Sequence, residues 1–151
     1  MRRMVISSLI LRPASPTDLD ALRALSEQLG YPLEPADAAQ RLGIILGHAD
    51  HAFLVAEVDG EVVAWVHGML RPLLVEGPQV FIGGLVVATE WRGRGIGVAM
   101  MAAIEDWGRK QGAKEVYVYS NITRERAHHF YARIGYALHE TSKVFTKKIA
   151  D

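Results

Sequence analysis

The chain has 151 residues and no cysteine, and its 17 Lys and Arg residues balance its 17 Asp and Glu residues. The length suits one domain with a substantial core, and the lack of cysteine excludes disulfides, thiolate zinc sites and a cysteine nucleophile. Because the formal net charge is zero, there is no broad basic field, and we expect no nucleic-acid partner.

The first residues faintly resemble a signal peptide, because Met1-Arg2-Arg3 is followed by an apolar stretch that reaches Leu11. That stretch is short and continues into Arg12-Pro13 without a convincing cleavage site. The longest run without charged residues, Gly77 to Thr89, is too short to span a bilayer. We therefore predict a cytoplasmic protein without a membrane partner.

The first half of the chain is predicted to hold a strand, two helices and a hairpin. Strands are favoured where β-branched residues dominate, and helices where leucine recurs every three or four residues between a starting serine or proline and a closing glycine. Asp59-Gly60 is a strong signal for a two-residue hairpin turn. The predicted elements are a strand at Val5 to Arg12, helices at Ser15 to Gly30 and Pro35 to Gly47, and strands at Phe53 to Val58 and Glu61 to Leu70.

The second half is predicted to alternate strands with two helices. Thr123 is expected to cap the last helix and Gly135 to end it. The predicted elements are strands at Gln79 to Ala88, Glu115 to Tyr119, Tyr136 to Glu140 and Lys143 to Ile149, and helices at Val98 to Gln111 and Thr123 to Gly135. The order β-α-α-β-β-β-α-β-α-β-β predicts a mixed α/β fold in a single domain over residues 1–151.

The loop Arg92 to Gly97, with the sequence RGRGIG, lies where a buried strand meets a helix N-terminus. Backbone N–H groups and the helix dipole make such a loop suitable for a phosphate. The pattern GxxxxGK followed by Ser or Thr is absent. The dinucleotide pattern GxGxxG also fails, because its third glycine would fall at Val98 or at Met100. The pattern Arg/Gln-x-x-Gly-x-Gly/Ala fits at every fixed position.

This loop resembles the acetyl-CoA pyrophosphate loop of the GNAT N-acetyltransferase superfamily. The later segment Ala127 to Tyr136 is similar to the family's second motif, Ala-x-x-Phe/Leu-Tyr-x-x-x-Gly-Phe/Tyr. The resemblance covers Ile10 to Ile149 and implies the GNAT fold, a mostly antiparallel mixed sheet of six to seven strands flanked by about four helices. It also implies acetyl-CoA as co-substrate and no metal, and it makes a homodimer one expectation.

The resemblance implies cofactor-binding residues in three places: a strand beside the pantetheine arm, the pyrophosphate loop, and the segment before the second motif. One strand N–H could polarise the thioester carbonyl. Many relatives place a cofactor-binding Asn seven residues before the motif tyrosine, where this chain has Arg124, with Asn121 three residues earlier. The expected residues are Leu85, Val86, Val87, Arg92, Gly93, Arg94, Gly95, Ile96, Gly97, Asn121 and Arg124.

Tyr131 is the general acid that the resemblance implies. A thiol titrates near ~8.5 and a phenol near ~10, so donation from the phenol to the leaving thiolate is uphill by roughly 2 kcal/mol. The general base stays open, because many relatives carry a glutamate where this chain has Gly83. The candidates are His67, Glu76, Tyr119 or a water relay, and the sequence favours His67 as a hydrogen-bonded wall of the pocket over His67 as the base.

We predict an N-acetyltransferase that moves the acetyl group of acetyl-CoA directly, in a ternary complex, to a primary amine of a small molecule. The whole pattern resembles small bacterial-type GNAT proteins, and the amine could be an aminoalkylphosphonate, an aminoglycoside or a polyamine. A non-catalytic acyl-CoA-binding sensor or regulatory module is one alternative, which the missing carboxylate at Gly83 favours and the presence of Tyr131 disfavours. An N-acetyltransferase of proteins or peptides is another.

Overall fold

The computed structural model describes residues 8–151. The chain divides into two compact units, one ending at Tyr119 and the other comprising Ser120–Asp151. The signal-like segment up to residue 7, and the first residues of the strand predicted from Val5, lie outside the described residues. The remainder of that predicted strand is present.

The first unit is an open sheet with three helices. Its strands have the order β1-β2-β3-β4-β5, and all neighbours are antiparallel except β4 and β5, which are parallel. The mixed α/β class is therefore confirmed. The elements in chain order are β1 (Leu9–Pro13), α1 (Leu19–Leu29), α2 (Pro35–Leu46), β2 (His51–Val58), β3 (Glu61–Leu73), β4 (Gly77–Val87), α3 (Ile96–Lys110) and β5 (Val116–Val118).

Local sequence signals explain several element boundaries in this unit. The Ser15 side chain accepts a hydrogen bond from the Thr17 N–H, and Asp18 accepts one from the Ser15 N–H, which caps a short 3-10 turn before α1. Gly30 ends α1 in the left-handed region, with φ of 101°. Asp59 and Gly60 both have positive φ, as the predicted hairpin turn between β2 and β3 requires.

Helices cover both faces of the sheet. On one face Val55 packs with Leu22 of α1 and Leu42 of α2 in a buried cluster. On the other face α3 lies so close that a Cβ on Gly68 would stand 3.1 Å from Ile104. The core therefore lies on both sides of β2, β3 and β4, and it holds these three interior strands in a fixed register.

Strands β4 and β5 pair over only part of their length. Val80, Phe81 and Ile82 are opposite Val116, Tyr117 and Val118, and the register stops there. β4 continues to Val87 with β3 on its other side. Among the described residues, the β5-facing edge of residues 83–87 has no ladder partner, and we call this segment the open edge of β4.

The second unit holds one helix, α4 (Glu125–Arg133). The predicted cap at Thr123 is wrong, since Arg124 occupies the N-cap position and Thr123 instead donates its N–H and its hydroxyl to Asn121 Oδ1 at 3.0 and 2.8 Å. An asparagine followed by a threonine two residues later favours this side-chain turn over a helix start.

The two strands predicted at Tyr136 to Glu140 and Lys143 to Ile149 are also wrong. Within the described part of the chain, residues 136–151 make no ladder, so the sheet has five strands rather than six to seven. Leu138, Phe145 and Ile149 are 87%, 89% and 91% exposed. A strand is stable only beside a partner that buries one of its faces, and local propensity cannot supply that partner.

Candidate functional site

The loop after β4 has the geometry of an anion site. Gly93 and Gly95 adopt φ of 75° and 84°, where a residue with a Cβ would be strained. Gly95 is the N-cap of α3, and it brings no side chain to cover the helix end. The first helical hydrogen bond runs from the Ala99 N–H to the Gly95 carbonyl. The N–H groups of the preceding first turn are therefore available to a phosphate.

Two arginines of this loop have defined positions. Arg92 donates from Nε to the Val87 carbonyl at 3.0 Å, which ties the loop to the last residue of β4. The guanidinium of Arg94 lies 4.6 Å from the ring centroid of Trp91. Both arginines belong to the loop at the positive end of the α3 dipole. The loop can therefore attract an anion through its N–H groups, through the helix dipole and through two arginine side chains.

The open edge of β4 leads directly away from this loop. Leu85, Val86 and Val87 pair with Val66, Trp65 and Ala64 of β3. Their backbone groups on the opposite side face the place where β5 would continue. An extended chain with amide groups can pair with such an edge as another strand would. Within the first unit, the loop therefore follows the open edge of β4 directly, with Val86 and Ile96 buried and the other predicted residues of the loop and of β4 at least partly exposed.

Asn121 and Arg124 lie in the second unit and have different environments. The Asn121 side-chain oxygen is engaged by Thr123, and the Asn121 carbonyl accepts from the Arg124 N–H at 2.9 Å. The Asn121 carbonyl also lies 2.9 Å from His128 Nε2. The Arg124 side chain is exposed at the start of α4. Both side chains are exposed, and of the two only Arg124 brings a positive charge to an anionic ligand.

Tyr131 is half-buried on α4. Its ring makes an edge contact with Tyr136 at 5.9 Å between centroids, and its carbonyl accepts from the Tyr136 N–H at 2.9 Å. Burial raises the pKa of the Tyr131 phenol, and the positive charge of Arg124 partly opposes that rise. The phenol is therefore protonated at neutral pH, as a proton donor must be.

His67 is the base candidate that lies next to the open edge. It pairs across the sheet with Gly84, and its Nε2 is 2.8 Å from Nδ1 of His51. The two imidazoles stack at 5.1 Å between centroids. Burial, together with the nearby charge of His51, lowers the pKa of His67 to about 4. His67 is therefore neutral at physiological pH.

The glycines of β4 explain the missing carboxylate. A Cβ on Gly83 would stand 2.8 Å from His67 Nδ1, and a Cβ on Gly84 would stand 2.6 Å from the Trp65 ring. Both positions must stay bare because rings of β3 lie over them. Sequence reasoning missed this, because the ring that lies over each glycine depends on the register between β3 and β4.

The other two base candidates lie elsewhere in the first unit. Glu76 is exposed near the turn between β3 and β4, beside a cavity of about 220 Å³ that Gln79, Lys114 and Glu115 also line. This is the opposite end of β4 from Val87. Tyr119 is 65% exposed and stacks on Phe81 at 5.5 Å between centroids. Of the three side chains, that of His67 holds the atom nearest to the place of a Cβ on Gly83.

Neither a metal-ligating cluster nor a membrane-spanning helix is found among the described residues. No group of three or more His, Asp or Glu side chains between residues 8 and 151 could hold a metal ion. In the same range, every helix is too short or too polar to cross a bilayer.

Comparison with known sequences identifies relatives over most of the chain. The profile described as acetyltransferase (GNAT) family matches residues 18–136. An aminoglycoside N(6')-acetyltransferase type 1 of Stenotrophomonas maltophilia is 32% identical over 146 residues, covering 93% of each chain. The protein of the same name from Salmonella typhimurium is 33% identical over 111 residues, covering 70% of this chain and 76% of its own.

Solved structures share the fold. The structure of AAC(6')-Iy in complex with the bisubstrate analogue CoA-S-monomethyl-acetylneamine has a TM-score of 0.85 and 23% identity, covering 94% of this chain and 99% of its own. The aminoglycoside antibiotic 6'-N-acetyltransferase AAC(6')-Ih from Acinetobacter baumannii has a TM-score of 0.84 and 22% identity, covering 95% and 100%. At these identities the likeness establishes the architecture.

Proposed function

The chain belongs to the acetyltransferase (GNAT) family and uses acetyl-CoA as its co-substrate, and from that premise we propose that it acetylates a primary amine of an aminoglycoside-like small molecule. The choice of amine is supported by relatives that are 32% and 33% identical and are named as aminoglycoside N(6')-acetyltransferases. We propose further that both units form one catalytic domain, because the family profile extends across their boundary at Tyr119.

The observation that carries the proposal is the continuity between the loop and the open edge of β4. The loop offers first-turn N–H groups and two arginines to the pyrophosphate, and the edge offers backbone groups to the amide-bearing pantetheine arm. Acetyl-CoA supplies an activated acetyl thioester. The proposed contacts are Leu85, Val86, Val87, Arg92, Gly93, Arg94, Gly95, Ile96 and Gly97, with Arg124 as a further phosphate contact in preference to Asn121.

Tyr131 is the proposed general acid. When the amine nitrogen bonds to the acetyl carbon and the carbon–sulfur bond breaks, the sulfur leaves with the electron pair and needs a proton. The Tyr131 phenol is protonated at neutral pH because burial raises its pKa. A phenol that acts at this step loses the proton only briefly, and solvent can return it.

The proposed function is tested by thiol release from acetyl-CoA in the presence of single amines. The panel contains aminoglycosides with a free 6'-amine, the same scaffolds with that amine blocked, aminoalkylphosphonates, polyamines and short peptides. We expect turnover with free 6'-amines and none when that amine is blocked. Turnover confined to another class would overturn the aminoglycoside assignment. Tight acetyl-CoA binding without turnover on any amine would favour an acyl-CoA sensor.

For Tyr131→Phe we expect kcat to fall by roughly 10²-fold, the low end for general acid catalysis, with acetyl-CoA affinity nearly unchanged. Steady-state kinetics and calorimetric titration measure the two quantities. Tyr136→Phe is the matched control, because it removes a neighbouring phenol that has no proposed chemical role. Equal kcat in wild type and Tyr131→Phe would exclude the tyrosine as the acid.

A further inference from the structure

The hydrogen-bonded pair His51–His67 lies where the reacting end of the cofactor would lie. A pantetheine arm that begins at the loop beside Val87 and follows the open edge reaches the residue where β5 pairing resumes, next to Gly83. His67 Nδ1 stands over Gly83, 2.8 Å from the place of a missing Cβ. This inference rests on the proposed function, since it requires acetyl-CoA on that edge.

The hydrogen bond between His51 and His67 limits which ring nitrogens can carry protons. His67 Nε2 is engaged with His51 Nδ1 at 2.8 Å, so one of these two nitrogens carries the shared proton. If Nε2 of His67 carries it, His67 Nδ1 has a free lone pair over Gly83, and His51 must carry its own proton on Nε2. A proton accepted at one end of this chain can then leave at the other end.

The surroundings of His67 disfavour a doubly protonated ring, so that an incoming proton has to be passed on. The rings of Phe53 and Trp65 lie on the same sheet face, and Phe53 is 5.4 Å from His67 between centroids. Such an environment disfavours a second proton on His67. Among the described residues, the ring of His48 also lies close to the pair, 5.7 Å from His51 between centroids. His67 can therefore accept a proton only while it passes one on.

We propose that His67 is the general base of acetyl transfer, with His51 as the positioning residue that takes the displaced proton. The amine nitrogen forms its bond to the acetyl carbon and loses a proton to His67 Nδ1. The proton on His67 Nε2 moves to His51 Nδ1, and the proton on His51 Nε2 goes to water. One proton enters the pair and one leaves it. Each ring ends with its proton on Nδ1 instead of Nε2, and proton exchange with water restores the starting tautomers.

The first arm of the test is kinetic. His67→Gln keeps a hydrogen-bonding side chain but cannot relay, and we expect kcat to fall by about 10²-fold with the acetyl-CoA KM within about twofold. His51→Gln should lower kcat by a smaller factor. His129→Gln on α4, an exposed histidine outside the proposed machinery, is the control and should match wild type. Unchanged kcat in His67→Gln would overturn the proposal.

The second arm moves the base to the neighbouring strand. His67→Ala removes the ring that blocks Gly83, so His67→Ala/Gly83→Glu can place a carboxylate over the same position. We expect the double variant to recover at least tenfold of the kcat that His67→Ala loses, and added imidazole to rescue His67→Ala partly. A purely structural histidine would respond to neither. Failure of both rescues in a folded variant, checked by circular dichroism, would contradict the relay.

The third arm does not depend on turnover. Nitrogen-15 NMR of the ligand-free wild type at neutral pH should find His67 protonated on Nε2 and unprotonated on Nδ1. The opposite tautomer would leave no lone pair over Gly83 and would overturn the proposal. A wild type that binds acetyl-CoA but acetylates no amine would instead defeat the proposed function itself, and the two failures are thereby distinguished.

Discussion

Gly83 and Gly84 leave room for two rings of the neighbouring strand. A Cβ on Gly84 would lie 2.6 Å from Cη2 and 2.7 Å from Cζ3 of Trp65. Real Cβ atoms do not approach carbon so closely, and the Trp65 indole, stacked on Phe53 at 5.2 Å between centroids, has little room to move. The absence of side chains at these positions is therefore a packing requirement of β3.

For Gly84→Ala we expect a loss of about 1–3 kcal/mol in the free energy of unfolding, the usual effect of overpacking. Urea denaturation measures it. Gly43→Ala in α2 is the control, since its Cβ would meet no atom within 4 Å, and helix propensity predicts a gain of up to about 1 kcal/mol. Trp65→Leu should offset part of the Gly84→Ala loss in the double variant. Equal stability of Gly84→Ala and wild type would contradict the steric account.

The sequence predicts single residues well where their role is local. The positive φ of Gly93 and Gly95, and the turn at Asp59-Gly60, follow from the residue types themselves. The side chain over Gly83 could not be read from its neighbours in sequence, because His67 arrives there through the register of two strands. Cross-strand contacts depend on that register, which neither strand contains alone.

Arg12 connects three elements of the first unit. Its guanidinium donates to both carboxylate oxygens of Asp18 at 2.8 Å, and to Glu57 Oε1 at 3.0 and 2.8 Å. Asp18 is only 7% exposed. The Arg12 hydrogen bond holds the pKa of Asp18 below its usual value, against the opposing effect of burial. The group thus links β1, the start of α1 and β2.

For Arg12→Met we expect a loss of about 2–4 kcal/mol in the free energy of unfolding at pH 7, because the variant leaves the buried Asp18 carboxylate unpaired.

The lowered pKa of Asp18 also predicts a pH dependence. The stability that it adds is complete above the unfolded pKa of 3.8 and is lost as the pH falls through the folded pKa. Wild type should therefore lose stability more steeply below pH 4 than Arg12→Met. Urea denaturation at pH 7 and pH 3 tests both. Arg12→Met/Asp18→Asn should recover part of the loss, and a double variant no more stable than Arg12→Met would contradict the pairing.

The elements that the sequence predicts correctly are those with strong local patterns. Helices α1 and α2 end at the glycines that the pattern indicates, and β2 and β3 meet at the predicted turn. The strands predicted after Tyr136 are absent from the described residues, although valine, phenylalanine and isoleucine favour them. Strand formation depends on a partner edge, and no local pattern specifies one.

At the scale of the whole molecule, composition excludes classes of function and the family assignment supplies the activity. Zero net charge and the absence of cysteine limit the possible chemistry. The fold class, the enzyme class and acetyl-CoA are confirmed by a family profile over residues 18–136 and by relatives at 32% and 33% identity. The amine, the general base and the oligomeric state stay predictions, because they depend on surfaces that neither motif encodes.

Acetyl-CoA should raise the melting temperature of the protein. Ligand at about 100 times its dissociation constant adds about 2.7 kcal/mol, which corresponds to roughly 5–10 °C for a chain of this size. Differential scanning fluorimetry with a concentration series measures the shift. Gly95→Ala strains the α3 cap and should reduce the shift, while Gly43→Ala should not. An equal shift in Gly95→Ala would argue against binding at the loop.

The open edge of β4 also has a consequence for the protein without its ligand. An unpaired run of strand backbone between hydrophobic residues is a template for pairing with another chain, which is how many sheets begin to aggregate. If acetyl-CoA occupies this edge as proposed, it would cover the exposed strand against self-association as well as donate the acetyl group. Cells that run short of acetyl-CoA would then lose the protein to self-association as well as losing its activity. The supply of one metabolite would set both the rate of acetyl transfer and the lifetime of the protein.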